Sequence, residues 1–358
     1  MAIISTVEAR GEFTKRLVSV YNERTAPSAF LRSFFPSKES MTLEVSIEVR
    51  RGTEKIAVDV ARGTRGNSNK FTKSTEKIFV PPYYREYFSA TDLDFYDRLF
   101  SRSETVDLDP ATFAEWLDTV MEKIEALRDK IDRAYELQCA EVLDTGIVSL
   151  KSGDNIDFKR KVASMVTLTG AFWDNAATDP TTSLITGLQF LRTEGKWNGA
   201  TVNAIMGQDA FQALVNNEKF QKKSDIKDFD LNLIREPQRN AEGAALQGSL
   251  SAGSWKVIIW TYPQYYTNEA GNETPYIGEK KVVLLPDAPK FVFAFGGIPT
   301  LRLTGNNNIP QTIAPVRGSY VVGEYLDPRK ATHEFDIQSA GIAVPVAVDQ
   351  LYTLQVLA

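Results

Sequence analysis

The stretch LDPATFAEWLDTVMEKIEALRDKIDRAYELQCAEVLDTG reads as one helix of unusual length, and that constrains everything around it. Asp109 is a suitable N-cap and Pro110 suits the first helical position. Gly146 supplies the stop. Phe113, Leu117, Val120, Ile124, Leu127 and Ile131 recur four and three residues apart, so they share one face. At 1.5 Å per residue, 110–144 would be about 52 Å long. That exceeds an average globular helix several-fold. A coiled coil is the alternative, but the spacing decays after Ala134 into Gln138 and Cys139. The expectation is a single long helix laid across a sheet.

The segment before the helix has the other period. Leu43, Val45, Ile47 and Val49 alternate with Thr42, Glu44, Ser46 and Glu48, which marks a half-buried strand. Ile56, Val58 and Val60 repeat the alternation after the turn RRGTE. A polar tract over 61–77 then returns through KIFVPPYYREYF, where tandem prolines stop the strand. Such a two-stranded ribbon has too little apolar surface to be stable alone and needs something to lie against.

Its charge is distinctive. Arg50, Arg51, Lys55, Arg62, Arg65, Lys70, Lys73 and Lys77 face only Glu54, Asp59 and Glu76. The ribbon is therefore +5 on a chain of net charge −5, which leaves −10 on the rest. Lys and Arg could serve nucleic acid, but acidic residues interrupt them and Phe71 is the nearby aromatic. A basic loop on an acidic body also suits the acidic surface of another copy.

Upstream, APSAFLRSFFPSKES gathers Phe30, Leu31, Phe34 and Phe35 before Pro36. This cluster needs cover, from its own domain or from a neighbour. A short helix is also expected around Phe13 to Tyr21. Downstream, GIVSLKSGDNIDFKRKVAS reads as a hairpin turning at Ser152–Asn155. DPTTSLITGLQFLRTEGKWN has a helix cap and a stop at Gly195. ATVNAIMG reads as a buried strand, QDAFQALVNNEKFQ as one further helix, and WKVIIW and KVVLLP as central strands. The apolar tail ATHEFDIQSAGIAVPVAVDQLYTLQVLA is expected to pair back into an earlier sheet. No internal repeat is found.

At 358 residues the chain is too long for one simple core. Apolar content of 43% and charged content of 24% are ordinary for a folded protein. The start MAIISTVEARGEF lacks signal-peptide character and no run is long enough to span a bilayer, so a soluble, cytoplasmically made chain is expected. One cysteine (Cys139) and one histidine (His333) exclude an internal disulfide and the usual Cys/His zinc sites. Cys139 reads as packed and His333 as an edge residue. No phosphate loop, dinucleotide fingerprint or nucleophile elbow is present. Asp92 and Asp94 fit a solvated helix start better than a catalytic pair, and TNEAGNET reads as a flexible loop. No catalytic residue, cofactor site or metal site is therefore assigned.

The order of these features resembles the major capsid proteins of tailed phages, and among them the lambda-type major capsid protein E family. The residues that carry the resemblance are FLRSFFP, the ribbon and helix after it, and above all the ending HEFDIQSAGIAVPVAVDQLYTLQVLA. Family members end similarly, with an acidic-aromatic pair, then QSA, an apolar run and a strand closing in Leu-Ala. The resemblance covers nearly the whole chain. It implies an α+β, Hong Kong 97-like tailed-phage capsid fold. The parts would be an N-terminal arm over 1–40, an extended β-ribbon loop over 41–88, a peripheral domain over 89–179 with its spine helix at 109–146, an axial α/β domain over 180–329, and C-terminal strands over 330–358 that complete the peripheral domain.

The resemblance further implies a non-enzymatic shell protein that self-assembles into pentamers and hexamers of an icosahedral head around packaged double-stranded DNA. Intersubunit contact would fall on Arg50, Arg51, Lys55, Arg62, Arg65, Lys70, Lys73 and Lys77, and arm docking on Phe30, Leu31, Phe34 and Phe35. Scaffold, portal and cement proteins would be separate chains, DNA contact non-specific on the inner face, and no membrane involved. Assembly would take place in the host cytoplasm. Related shells crosslink Lys to Asn, but Lys70, Lys73 and Asn306–Asn308 do not by their spacing establish such a bond. An encapsulin-like compartment and a nucleic-acid-binding protein using 50–77 are the alternatives.

Overall fold

The computed structural model describes residues 27–49, 75–91, 110–151, 153, 155–224, 238–240, 242–303, 310–327 and 332–358. The helix runs over Pro110–Asp144, 35 residues in one piece. Gly146 ends it with φ at +74°, a left-handed conformation that favours glycine. Its N–H donates to Val142 O at 3.0 Å, closing the last turn. A Cβ there would also lie 2.8 Å from Arg160 Cβ. Arg160 needs that room. From a buried position it donates to the orphan carbonyls of Leu143 (2.9 Å) and Asp144 (2.8 Å), and to Ser164 and Thr353. Burial lowers its pKa to about 10 against the pull of Asp144.

The helix explains why its own periodicity fades. Through Val120, Ile124 and Ile131 it buries one face, while Met121, Glu122 and Lys123 stay exposed. Beyond Ala134 it is enclosed on several sides, with Tyr135, Glu136, Gln138, Cys139 and Ala140 all buried. A helix surrounded by protein has no outward face to keep polar, so the alternation disappears.

What surrounds it is a five-stranded sheet built on the long strand Thr332–Pro345. Residues 332–340 of that strand pair antiparallel with Tyr83–Thr91, and residues 332–338 with Val321–Asp327. Residues 341–345 pair with Phe291–Phe295, which in turn carries Ser37–Glu39 in parallel. Tyr135 on the helix donates to Ser339 on the sheet, and Gln138 donates to Tyr84 Oη at 2.8 Å. Gly341 permits this approach, since a Cβ there would sit 2.6 Å from the Phe293 ring and 3.0 Å from Tyr135.

A second sheet has seven strands, in the order Met165–Thr167, Tyr352–Gln355, Lys281–Pro286, Thr201–Met206, Trp255–Thr261, Ala245–Ala252 and Gln238–Arg239. The apolar runs WKVIIW and KVVLLP take interior places in it, as expected of strands covered on both faces. The helix Pro180–Thr193 lies on this sheet. Asp179 caps it by accepting from Thr181 N at 3.1 Å. The hairpin expected after the long helix is present, with Ile147–Val148 paired to Ile156–Asp157.

Several sequence expectations are corrected. QDAFQALVNNEKFQ is two helices, Gln208–Asn216 and Glu218–Ser224. Asn217 divides them because its buried amide is committed elsewhere. It donates to Trp173 O (2.9 Å) and Thr178 O (3.1 Å) while accepting from the Lys219 and Phe220 N–H groups. TNEAGNET is a hairpin between Tyr265–Thr267 and Glu273–Pro275, its turn fixed by Asn268 Oδ1 accepting from the Ala270 and Asn272 N–H groups.

The expected boundaries cut across both sheets. Tyr83–Thr91 is a sheet strand rather than the end of the ribbon. Phe291–Phe295 and Val321–Asp327, placed within the axial segment, pair into the five-stranded sheet. The tail expected to complete that sheet divides, and Tyr352–Gln355 crosses to the seven-stranded one. Hydrophobic pattern marks a strand but does not say which sheet receives it.

A candidate intersubunit surface and the docked N-terminal arm

Two stretches ahead of the long helix carry the expected contact residues. The first is the arm. Phe30, Leu31 and Phe35 are buried in their own chain's core and Phe34 packs partly against it. Phe30–Ser33 forms one helical turn. Phe30 sits 5.2 Å from the Trp260 ring and 5.5 Å from Tyr262, and Phe35 stacks on Phe291 at 5.0 Å. Ser37–Glu39 then joins the sheet.

Polar contacts fix this arm in place. Glu136, fully buried on the long helix, accepts from Leu31 N at 2.7 Å and Arg32 N at 3.1 Å, the open amides at the start of the turn. It also accepts from Tyr262 Oη at 2.6 Å, and that hydroxyl lies 2.7 Å from Ser28 Oγ. Burial raises Glu136 to about 7, against the opposing pull of these donors and the Arg32 charge. Arg32 reaches Asp132 at 2.6 Å, 4.9 Å from the Phe293 ring centre, and Tyr320 donates to the same carboxylate. Burial opposes the Arg32 charge, but Tyr320 and Asp132 outweigh it and raise its pKa. Burial likewise pushes Tyr320 up to about 12, with Asp132 adding to it.

The second stretch is the ribbon. Its base pairs Val45–Val49 with Thr75–Phe79 in antiparallel register, Val45 opposite Phe79 and Ser46 opposite Ile78. One face turns inward: Val45 is buried and the Phe79 ring lies 5.2 Å from Phe158. Other apolar side chains in and beside the base are left open. Met41 is 63% exposed, Leu43 57%, Ile78 60% and Val80 63%. On the adjoining strand, Tyr83 and Tyr87 are exposed as well. The base is anchored by the Gly297 N–H, which donates to Thr42 O at 2.9 Å, while the Gly296 N–H donates to Ala340 O on the long strand at 2.8 Å. A Cβ at Gly296 would lie 3.1 Å from Leu43 O, so glycine is what lets the ribbon sit this close.

Of the basic residues assigned to intersubunit contact, Lys77 lies on the strand Thr75–Phe79. Arg50, Arg51, Lys55, Arg62, Arg65, Lys70 and Lys73 fall outside the described residues, as do Asp92, Asp94 and Asn306–Asn308. His333 is a strand residue in Thr332–Pro345, and Cys139 is buried, its thiol pushed up by that burial. Glu136, Arg32 and Asp132 were not singled out from the sequence. The available signal was a glutamate placed where the helical periodicity fades. Among the described residues no group of three His, Cys, Asp or Glu is placed to hold a metal, and no helix is long and apolar enough to cross a membrane.

Comparison with known proteins supplies the remaining observations. A family model described as phage major capsid protein E matches residues 14–356. No curated protein matches the chain. A crystal structure assigned to a capsid protein of an Escherichia coli CFT073 prophage is similar over 93% of this chain and 94% of that one, at 15% identity and a TM-score of 0.58. The mature capsid of bacteriophage PhiM1 is similar over 93% and 89%, at 9% identity and a TM-score of 0.49. The SrpI encapsulin of Synechococcus elongatus PCC 7942 is similar over 94% and 92%, at 11% identity and a TM-score of 0.45.

Proposed function

Because the chain belongs to the phage major capsid protein E family, we propose that its copies close into pentamers and hexamers of an icosahedral head around packaged double-stranded DNA. It is a shell subunit with the Hong Kong 97-like capsid fold, a structural protein of the virion. The observation that carries the assembly reading is the open side of the ribbon base. Met41, Leu43, Ile78 and Val80 are each more than half exposed, although they adjoin a segment whose other side is well packed. Several large exposed apolar side chains at the base of a ribbon with little core of its own fit a surface covered by another chain.

Charge supports the same direction. The +5 ribbon and the −10 remainder attract when one copy's ribbon crosses another copy's body. In this reading scaffold, portal and cement proteins are separate partners, DNA meets the inner face without sequence preference, and assembly takes place in the host cytoplasm. No catalytic role is assigned.

Reversing Arg62, Arg65, Lys70 and Lys73 to Glu tests the proposal. The variant subunit keeps its circular-dichroism spectrum, while particle formation fails or becomes strongly salt-dependent. Loss of the folded spectrum in the isolated subunit would contradict the ribbon assignment. Salt-sensitive DNA binding by that subunit, abolished by the same changes, would favour a nucleic-acid-binding role instead.

A further inference from the structure

We propose that the outer face of the five-stranded sheet is a second contact surface between copies of this chain, on which a neighbouring copy supplies the hydrogen-bond donor that Asp336 lacks. This rests on the assembly reading and extends it from the ribbon base to another place in the fold. Register sets the face. On the strand Tyr83–Thr91, Tyr84, Glu86 and Phe88 turn to the long helix: Tyr84 Oη accepts from Gln138, Glu86 pairs with Lys130 at 2.7 Å, and the Phe88 ring centre lies 5.2 Å from Lys123 Nζ. Tyr83, Arg85 and Tyr87 alternate with them and so point the other way. The long strand places Ala340, Gln338 and Asp336 directly opposite those three.

Asp336 is incomplete within its own chain. It is 1% exposed, and its Oδ2 accepts from Arg85 Nε at 2.6 Å and from Gln338 Nε2 at 2.7 Å. Its Oδ1 is buried as well and accepts from nothing. A buried acceptor without a donor is costly, and folded chains leave few of them. Among the described residues the Thr181 hydroxyl is the other buried side-chain atom so placed, and it carries no charge.

Its surroundings identify the donor. Tyr87, opposite Asp336, is 64% exposed and Tyr83 is half-exposed, so two large rings stand in the open on either side of Arg85. Tyr and Arg are residue types that the centres of protein interfaces favour. The Arg85 side chain is itself half in solvent, so a docking copy can turn it and Tyr87 aside to reach Oδ1. Along the chain the two rings continue the exposed Ile78 and Val80 of the ribbon base across Pro81 and Pro82, so one neighbouring copy can cover both. Charge agrees. Glu334, opposite Ser89, falls on the same face by register, so two acids share it with Arg85, while the chain carries its surplus of cations at 50–77. The donor is a Lys or Arg of a second copy, which bonds Oδ1 while Arg85 keeps Oδ2.

Hydroxyl-radical labelling of the purified chain, below and above the concentration at which particles form, reads this face. Tyr83 and Tyr87 are expected to lose most of their labelling in the particles. Particles in which both label as fast as in the free subunit overturn the proposal and leave the assembly reading intact. A chain that forms no particles at any concentration overturns the assembly reading, and the proposal with it. Two variants then test the residues. Asp336→Asn keeps the shape and removes the charge, and it is expected to raise the concentration needed for particles about tenfold, the worth of one hydrogen bond to a charged group. Tyr87→Ser, at a position exposed in the subunit, is expected to raise it while the circular-dichroism spectrum stays unchanged. Particle formation by Asp336→Asn at the parent's concentration overturns the assignment of the acceptor, and the same result for Tyr87→Ser overturns the assignment of the face.

Discussion

The arm and the ribbon base both bring large apolar side chains ahead of the long helix, yet those side chains meet opposite fates. Leu31 is fully buried and Phe30 3% exposed, whereas Ile78 and Val80 are 60% and 63% exposed. Hydrophobic content does not separate them. What separates them is polar anchorage: the arm brings open backbone amides to a buried carboxylate and an arginine to Asp132, so its ends are fixed and its rings can pack. The ribbon base is held by its own strand pairing and by the Gly297 N–H on Thr42 O, contacts that leave Ile78 and Val80 in the open.

Breaking the arm should cost the most. Phe35→Ala removes a buried ring stacked on Phe291 and is expected to destabilise the isolated subunit by about 3–5 kcal/mol, read from the denaturation midpoint. Arg160→Met is next. It strands the carbonyls that Arg160 caps at the end of the long helix, and a loss of about 3 kcal/mol is expected in the same measurement. On the ribbon base the expectation reverses. Ile78→Asp combined with Val80→Asp should change subunit stability by less than about 0.5 kcal/mol, because both positions are solvent-exposed, while particle formation is abolished by light scattering. Smallest is Lys151→Ala, which removes an exposed pair with Glu269 and should shift stability by less than about 0.5 kcal/mol with assembly intact.

The sequence was most legible where local rules act alone. The stop of the long helix at Gly146, the Asp179 cap and the continuous apolar strands are written in neighbouring residues, and the structure reproduces them, while the expected N-cap Asp109 lies outside the described residues. The ending that carried the family resemblance forms Thr332–Pro345 and Tyr352–Gln355. Less legible was anything settled between distant residues. Asn217 breaks a helix because of carbonyls more than thirty-five residues away, and the tail divides between two sheets because its partners lie in different places. The pairing of Ile298–Leu303 with Pro310–Val316 had no reading from the sequence. Glu136 was hidden for a related reason: a buried glutamate resembles an exposed one until its three donors, over a hundred residues away, are in place.

Electron microscopy of the purified full-length chain beside its Ile78→Asp, Val80→Asp variant tests the central claim most directly. Closed shells, or rings of five and six, from the parent protein, together with a folded but unassembled variant, are the predicted result. Shells formed equally well by the variant would contradict the account, because the open side of the ribbon base would then not be the surface that joins one copy to the next.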